Sequence, residues 1–220
     1  MSSSDHVGAV FFDVDGTLVP RTSSAVFLAD FLGHRDELAK AEDGYAAGAL
    51  DNRQVSELDA AGWAGVRQEL VADWLGGLPL VSGITEAVDW CRQNGLVPVL
   101  ATLAWETVGS CLSNRFGFHA FSGPRLETAD GRFTGRVARH FDEYDKRDFA
   151  LAQVRDLGLA PHACAAVGDS RSDLPLFASV GLSVAFNASA GARAAATVTV
   201  DGDDLRSVLP VLSRLVTASR

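Results

Sequence analysis

Val7-Gly8-Ala9-Val10-Phe11-Phe12-Asp13-Val14-Asp15-Gly16-Thr17-Leu18-Val19 is an apolar run that ends abruptly in two carboxylates, a glycine and a threonine. Its first part, without polar alternation, reads as a strand covered on both faces, as in a parallel sheet between helices. Ligands of such sheets bind just beyond the carboxyl ends of the strands, and that is where Asp13 and Asp15 stand. Side chains two apart in an extended chain point the same way, so both carboxylates can address one small volume. Gly16 permits a turn that a Cβ would resist. Acids also cap helices and solvate turns, but solvation alone does not account for two acids closing a wholly apolar strand.

Outward from this stretch, the pattern from Ser23 to about Gly77 is helical. Segments near Ser23–Leu32, Asp36–Leu50, Asn52–Gly62 and Val66–Leu75 are stopped by Gly33, Gly48 and Gly76-Gly77. From Pro79 the texture alternates, with a helix Ile84–Asn94, a strand Leu96–Thr102 and a helix Glu106–Phe116. A polar hairpin follows, Arg125–Thr128 and Arg132–Val137 around Asp130-Gly131. A helix Lys146–Leu157, a strand Ala163–Val167, a helix Leu174–Val180, strands Leu182–Phe186 and Ala196–Val200, and a helix Asp204–Thr217 complete the chain. The alternation predicts an α/β fold, a doubly wound parallel sheet with an inserted helical cap and a small β-hairpin. The expected division is a core of residues 1–20 and 78–220 with a cap of residues 21–77.

Composition narrows the function. A hydrophobic content of 47% fills a core and a charged content of 21% argues against disorder. The net charge of −9 argues against nucleic acid or an anionic membrane surface as partner, so any phosphate must be bound locally against the overall field. Met1-Ser2-Ser3-Ser4-Asp5 lacks a basic segment leading into an apolar one, and no secretory signal is expected. The longest uncharged run, Leu174 to Ala192, is broken by Pro175, Asn187 and several Ser and Gly, unlike a membrane span. Cys91, Cys111 and Cys164 lack metal spacing and lie in apolar-periodic stretches, as reduced thiols of a cytoplasmic protein would. The five histidines show no metal spacing either. Oligomeric state is not legible.

Other strand ends carry chemistry too. Thr102 presents a hydroxyl at the edge that holds Asp13, either for a ligand or to satisfy a turn. Ala163–Val167 runs into Gly168-Asp169-Ser170-Arg171-Ser172-Asp173, acids that could equally cap the next helix. Lys146 follows Asp142-Glu143-Tyr144-Asp145, and a solvated lysine paired with these acids is the plain reading. Against it stands composition: the chain has 17 arginines and only two lysines, Lys40 and Lys146, and a compact point charge suits a phosphoryl group.

Together these residues make one coherent set. An aspartate attacking phosphorus needs an in-line approach, a cation to offset the charges of both partners and an acid for the departing oxygen. Asp13 suits the nucleophile, and Asp15 the acid that later activates water. Asp13, Asp15, Asp169 and Asp173 converging on a phosphate call for a hard cation, for which Mg²⁺ with its oxygen ligands fits. Asp13, Asp169 and the backbone carbonyl of Asp15 are the expected ligands, with Asp173 coordinating or orienting its neighbours. Lys146 and Thr102 would hold phosphoryl oxygens, aided by loop amides after Asp15.

In this set the chain resembles the haloacid dehalogenase superfamily, on its phosphoserine phosphatase-like branch with a helical cap after the first motif. Asp13-Val14-Asp15-Gly16-Thr17 matches the first motif, Thr102 the second, Lys146 the third, and Gly168-Asp169 through Asp173 the fourth, so the resemblance spans roughly Val7 to Leu212. It implies a Mg²⁺-dependent hydrolase of a small phosphorylated metabolite working through an aspartyl-phosphate. The departures argue against serine phosphate as substrate. Val19-Pro20-Arg21-Thr22-Ser23 lacks the expected acid, and Asp59 falls about where the cap's substrate-binding arginine would, with Arg53 and Arg67 nearby. Leu103-Ala104-Trp105 replaces small glycines, which predicts a tighter, more apolar pocket, and Ser172 stands where an asparagine is usual. Leu103 and Trp105 are therefore candidate substrate contacts, although a tryptophan at a helix start is equally a core residue. Arg21 could meet a second anionic group, a solvated loop arginine being the commoner case. Two alternatives stay open, a phosphotransferase or mutase of the same superfamily and a non-catalytic binding module; the second would be marked by loss of Asp13 or Asp15, and both are present.

Overall fold

The computed structural model describes residues 6–218; Met1–Asp5, the stretch bearing on a secretory signal, lies outside them. In chain order the elements are β1 (Gly8–Phe12), α1 (Ser24–Leu32), α2 (Arg35–Ala46), α3 (Asn52–Gly62), α4 (Glu69–Leu75), α5 (Ile84–Gln93), β2 (Leu96–Leu100) and α6 (Glu106–Phe116). The hairpin β3 (Arg125–Ala129) and β4 (Arg132–Arg139) follows, then α7 (Glu143–Asp156), β5 (Ala165–Gly168), α8 (Leu174–Phe177), β6 (Leu182–Phe186), α9 (Ala190–Ala195), β7 (Val198–Val200) and α10 (Leu209–Ala218).

The five core strands form one parallel sheet in the order β2-β1-β5-β6-β7. Every residue of β1, β2 and β6 is buried, as their unbroken apolar runs require. Alternate residues serve opposite layers. Val10, Phe12 and Leu100 pack with Val88 and Cys91 of α5 and Leu112 of α6, while Phe11, Val97 and Val99 pack with Ala150 and Val154 of α7 and Leu176 of α8. Burying each phenylalanine ring contributes about 1.5–3 kcal/mol, upper figures because the unfolded chain already hides some apolar surface. Cys91 and Cys164 are buried and all three cysteines are free.

The hairpin turns at Asp130-Gly131, both at positive φ (48° and 73°), the geometry of a two-residue turn. It packs on the helical block through Trp63 and Phe133, whose rings meet edge to face at 5.0 Å, and through the Gly65 amide on the Phe133 carbonyl at 2.9 Å.

Several expected boundaries move for local reasons. β2 stops at Leu100 because the Thr102 amide turns to the Ser122 hydroxyl at 2.9 Å. α7 begins at Glu143, not Lys146, because Asp142 accepts the amides of Tyr144 and Asp145 and caps it. β5 begins at Ala165 because Pro161–Ala163 form a 3₁₀ turn. α2 ends at Ala46 and α4 starts at Glu69, both shorter than the apolar period suggests, and the helix expected at Leu174–Val180 ends at Phe177. The six-residue α9, capped by Ser189, was not expected; one and a half turns leave no period to read.

Candidate active site

β2, β1 and β5 are neighbours, so their carboxyl ends bring Thr102, Asp13 and Asp169 to one edge of the sheet. Phe12 is level with Leu100 on one side and Val167 on the other. The Asp13 amide donates to the Val167 carbonyl at 2.9 Å, so the chain leaves the sheet at this carboxylate. It then folds back, the amides of Thr17, Leu18 and Val19 reaching the Val14 carbonyl at 3.2, 2.8 and 2.9 Å.

Gly16 makes this fold possible. Its φ is +85°, and a Cβ there would stand 2.2 Å from Asp169 Oδ2. Gly16→Ala therefore has to displace Asp169; turnover is expected to fall about tenfold or more at a stability cost of about 1–3 kcal/mol. Steady-state kinetics beside thermal unfolding separates the two effects. The same logic fixes Gly168, whose Cβ would stand 2.2 Å from the Asp173 carboxyl carbon.

Asp15 is partly buried, and its Oδ1 accepts the amide of Ser24, the first residue of α1, at 2.6 Å. Burial raises its pKa, and the Ser24 amide offsets part of that rise. Beside it, Ser23 caps α1 and donates its hydroxyl to Glu42 Oε1 at 2.6 Å. Burial pushes Glu42 up to about 7.

Lys146 is fully buried, which excludes the solvated reading. Its Nζ lies 3.1 Å from Asp13 Oδ1 and 2.6 Å from Asp173 Oδ1. Lys146, Ala150 and Val154 form the buried face of α7 at a spacing of four, which aims the ammonium inward. Burial alone would lower its pKa; the carboxylates of Asp13 and Asp173 outweigh this and hold it protonated. Asp173 Oδ2 in turn accepts the amides of Asp169 and Ser170 at 2.9 and 3.1 Å. Both its oxygens are thus engaged, and its place in the fold is to fix Lys146 and the loop carrying Asp169.

Asp13, Asp169 and Asp173 each offer a carboxylate oxygen, all within 4.8 Å of one another. Burial pushes Asp13 up to about 7, with Lys146 pulling it down and Asp173 and Asp15 pushing it further up. Asp169 is pushed to about 8 by burial and then by Asp13 and Asp173. One ammonium among these acids leaves negative charge in excess, in a nest of oxygen donors. That donor set fits a hard divalent cation.

Asp13, Asp15, Thr102, Leu103, Trp105, Asp169 and Arg21 line one cavity of about 850 Å³ between the sheet edge and the helical block. Thr102 is 1% exposed, with its Oγ1 accepting the Ala104 amide at 3.1 Å. Ser172, 6% exposed, is also in the lining, its Oγ 3.1 Å from that of Ser170. Arg21 is exposed at positive φ (66°), whereas Trp105 is buried and its indole N–H donates to Asp59 Oδ2 at 2.6 Å. Asp59 and Glu42, which also line the cavity, were not among the expected site residues. Glu42 carried a signal, since it interrupts the inward stripe Leu38, Ala41, Tyr45 of α2 with an acid.

The chain belongs to the haloacid dehalogenase-like hydrolases, whose family profile matches residues 10–178. It is 27% identical over 207 residues to a phosphoserine phosphatase of Albidiferax ferrireducens, covering 91% of this chain and 87% of that one. A phosphoserine phosphatase of Streptococcus thermophilus is 26% identical over 216 residues, covering 96% and 99%. In fold, the chain superimposes on a phospho-aspartyl intermediate analogue of phosphoserine phosphatase with a TM-score of 0.84 at 22% identity, covering 93% and 98%. Among the described residues no helix is long and apolar enough to cross a membrane.

Proposed function

We propose that this hydrolase is a Mg²⁺-dependent phosphatase of small phosphomonoesters working through an aspartyl-phosphate. The observation that carries the reading is the buried triangle of Asp13, Lys146 and Asp173 beside Asp169, of which Asp13 and Asp169 are in the lining of a cavity of about 850 Å³ and Lys146 and Asp173 are not. The likeness to phosphoserine phosphatases supports the same class of reaction. Residues 21–77 act as the cap over a core of residues 1–20 and 78–220.

In this reading an oxygen of Asp13 attacks phosphorus, and the departing alkoxide takes its proton from Asp15, whose pKa burial keeps above the ordinary range. Asp15 then removes a proton from the water that hydrolyses the aspartyl-phosphate. Lys146 and Thr102 hold the phosphoryl oxygens, joined by amides of the turn after Asp15. Asp13, Asp169 and the Asp15 carbonyl would hold Mg²⁺, with Asp173 orienting them, and the ion would offset charge between nucleophile and phosphate. Leu103 and Trp105 contact the leaving group and Arg21 stands at the exposed rim. The net charge of −9 fits a cytoplasmic enzyme acting on metabolites.

Asp15→Asn tests the proton transfer. Its loss of kcat/KM, which reports phosphoryl transfer to Asp13 and not the later hydrolysis, is expected to be about 10²–10⁴-fold with an alkyl phosphate and much smaller with p-nitrophenyl phosphate, whose leaving group needs no proton. Equal losses on both would contradict the role.

Cation binding has a pH signature. Without metal, Asp13, Asp169 and Glu42 titrate near 7–8 when folded but near 4 when unfolded. The folded state then binds more protons across that window, so its stability falls as pH rises from about 4 to about 8. Chelated protein is expected to melt lower at pH 8 than at pH 6, and Mg²⁺ to raise Tm more at pH 8, as calorimetry would measure.

The overall reading is tested by phosphate release from a panel of phosphorylated metabolites with Mg²⁺ and with chelator. Metal-dependent release from some of them is expected; none from any would overturn it.

A further inference from the structure

The helical block closes the cavity with a carboxylate that, among the described residues, no buried arginine or lysine offsets, its ion-pair partner being His34, charged only when protonated. Asp59 of α3 is 2% exposed, yet its oxygens are held by three N–H groups, from the residues just before α2, just after α3 and just before α6. Oδ2 accepts the Trp105 indole N–H at 2.6 Å; Oδ1 accepts that of Trp63 at 3.3 Å and meets His34 Nε2 at 2.7 Å. Carboxylate oxygens only accept when ionised, so the imidazole donates. Trp105 stands three residues after Thr102, so this contact ties the block to the loop at the phosphoryl end of the cavity. The arginines lining the cavity lie elsewhere or are already engaged. Arg21 and Arg35 are exposed, and Arg171 stacks over the Tyr45 ring at 4.2 Å while bonding the Tyr45 carbonyl and Glu143. Glu42, a half-buried acid of the block in the lining, is raised first by burial, against the lowering hydrogen bond from Ser23, and in smaller part by the charges of Asp15 and Asp59.

We propose that Asp59 determines leaving-group specificity, turning away phosphomonoesters whose leaving group bears a carboxylate and admitting neutral or cationic ones. The inference rests on the phosphatase reading above and adds the charge class of its substrate. A carboxylate entering this space would meet fixed like charges in a partly dehydrated cavity, with no buried guanidinium to pair with. An ammonium or hydroxyl would meet acceptors. Because three donors hold Asp59 in position, the carboxylate cannot swing away to make room.

O-phosphoserine and O-phosphoethanolamine form a matched pair, differing only by the carboxylate. Each is titrated as a competitor of Mg²⁺-dependent p-nitrophenyl phosphate hydrolysis, which reads binding whether or not the competitor is itself cleaved. The wild type is expected to bind O-phosphoethanolamine about tenfold or more tightly than O-phosphoserine. Asp59→Asn keeps an acceptor for Trp105 and removes the charge, and should bring the ratio close to one by tightening O-phosphoserine. Equal or tighter binding of O-phosphoserine by the wild type, or no inhibition by either ester, overturns the proposal. So does an unchanged ratio in a folded Asp59→Asn; if that variant does not fold, the wild-type ratio decides. Failure to hydrolyse p-nitrophenyl phosphate, or any ester of the metabolite panel, would instead remove the phosphatase reading and this inference with it.

Discussion

Asp13→Asn is expected to lower phosphate release by about 10⁴-fold or more while leaving the protein folded. Asparagine has the same shape, so the Asp13 amide keeps its bond to Val167 and the sheet edge is undisturbed. What is lost is the oxygen that bonds to phosphorus, which Asp169, assigned to the cation in this account, does not supply. Asp15 is engaged by the Ser24 amide, and both oxygens of Asp173 are taken. Stability should move the other way. Asp13 is buried and pushed up to about 7 by burial and neighbouring acids, so neutralising it relieves repulsion in the metal-free protein at pH 8. A variant that melts no lower than the wild type in chelator yet is inert would fit; one that retains a tenth of wild-type kcat would exclude Asp13 as nucleophile.

Lys146→Met should damage stability and turnover together. Its ammonium is the buried cation between Asp13 and Asp173, and methionine fills similar space without charge. Leaving Asp173 unpaired in a site 1% exposed costs about 3–5 kcal/mol, roughly a 10 °C fall in Tm for a chain of this size. Turnover should fall by about 10³-fold, because a charge aimed at the phosphoryl group is lost as well. Lys146→Arg should not rescue it, since a planar fork cannot occupy the point where two carboxylates converge on one nitrogen. Thermal unfolding and kcat measured on the same preparations would check both.

How much of this was legible in the sequence depended on which residues sit at strand ends. Asp13, Asp15 and Asp169 stand where apolar runs stop, and strand order alone brings two of those runs together. Lys146 was marked by the scarcity of lysine and heads the stripe of Ala150 and Val154 on α7. The two oxygens of Asp173 could not be assigned from sequence, because their partners come from α7 and from backbone amides of its own loop. The wall of the cavity formed by the helical block was the least legible part. Asp59 matters through Trp105, 46 residues on, and such a contact depends on how α3 lies over the sheet edge, which no period encodes. Short elements such as α9 failed for the related reason that packing, not periodicity, decides them.

The central claim is that phosphorus becomes bonded to Asp13, and acid quenching during turnover followed by mass spectrometry of the peptides tests it most directly. A phosphoryl adduct on the peptide spanning Val10 to Val19, located at Asp13 by fragmentation and absent from Asp13→Asn, is the predicted result. A protein that releases phosphate rapidly yet never carries the adduct, or carries it on another residue, would contradict the account.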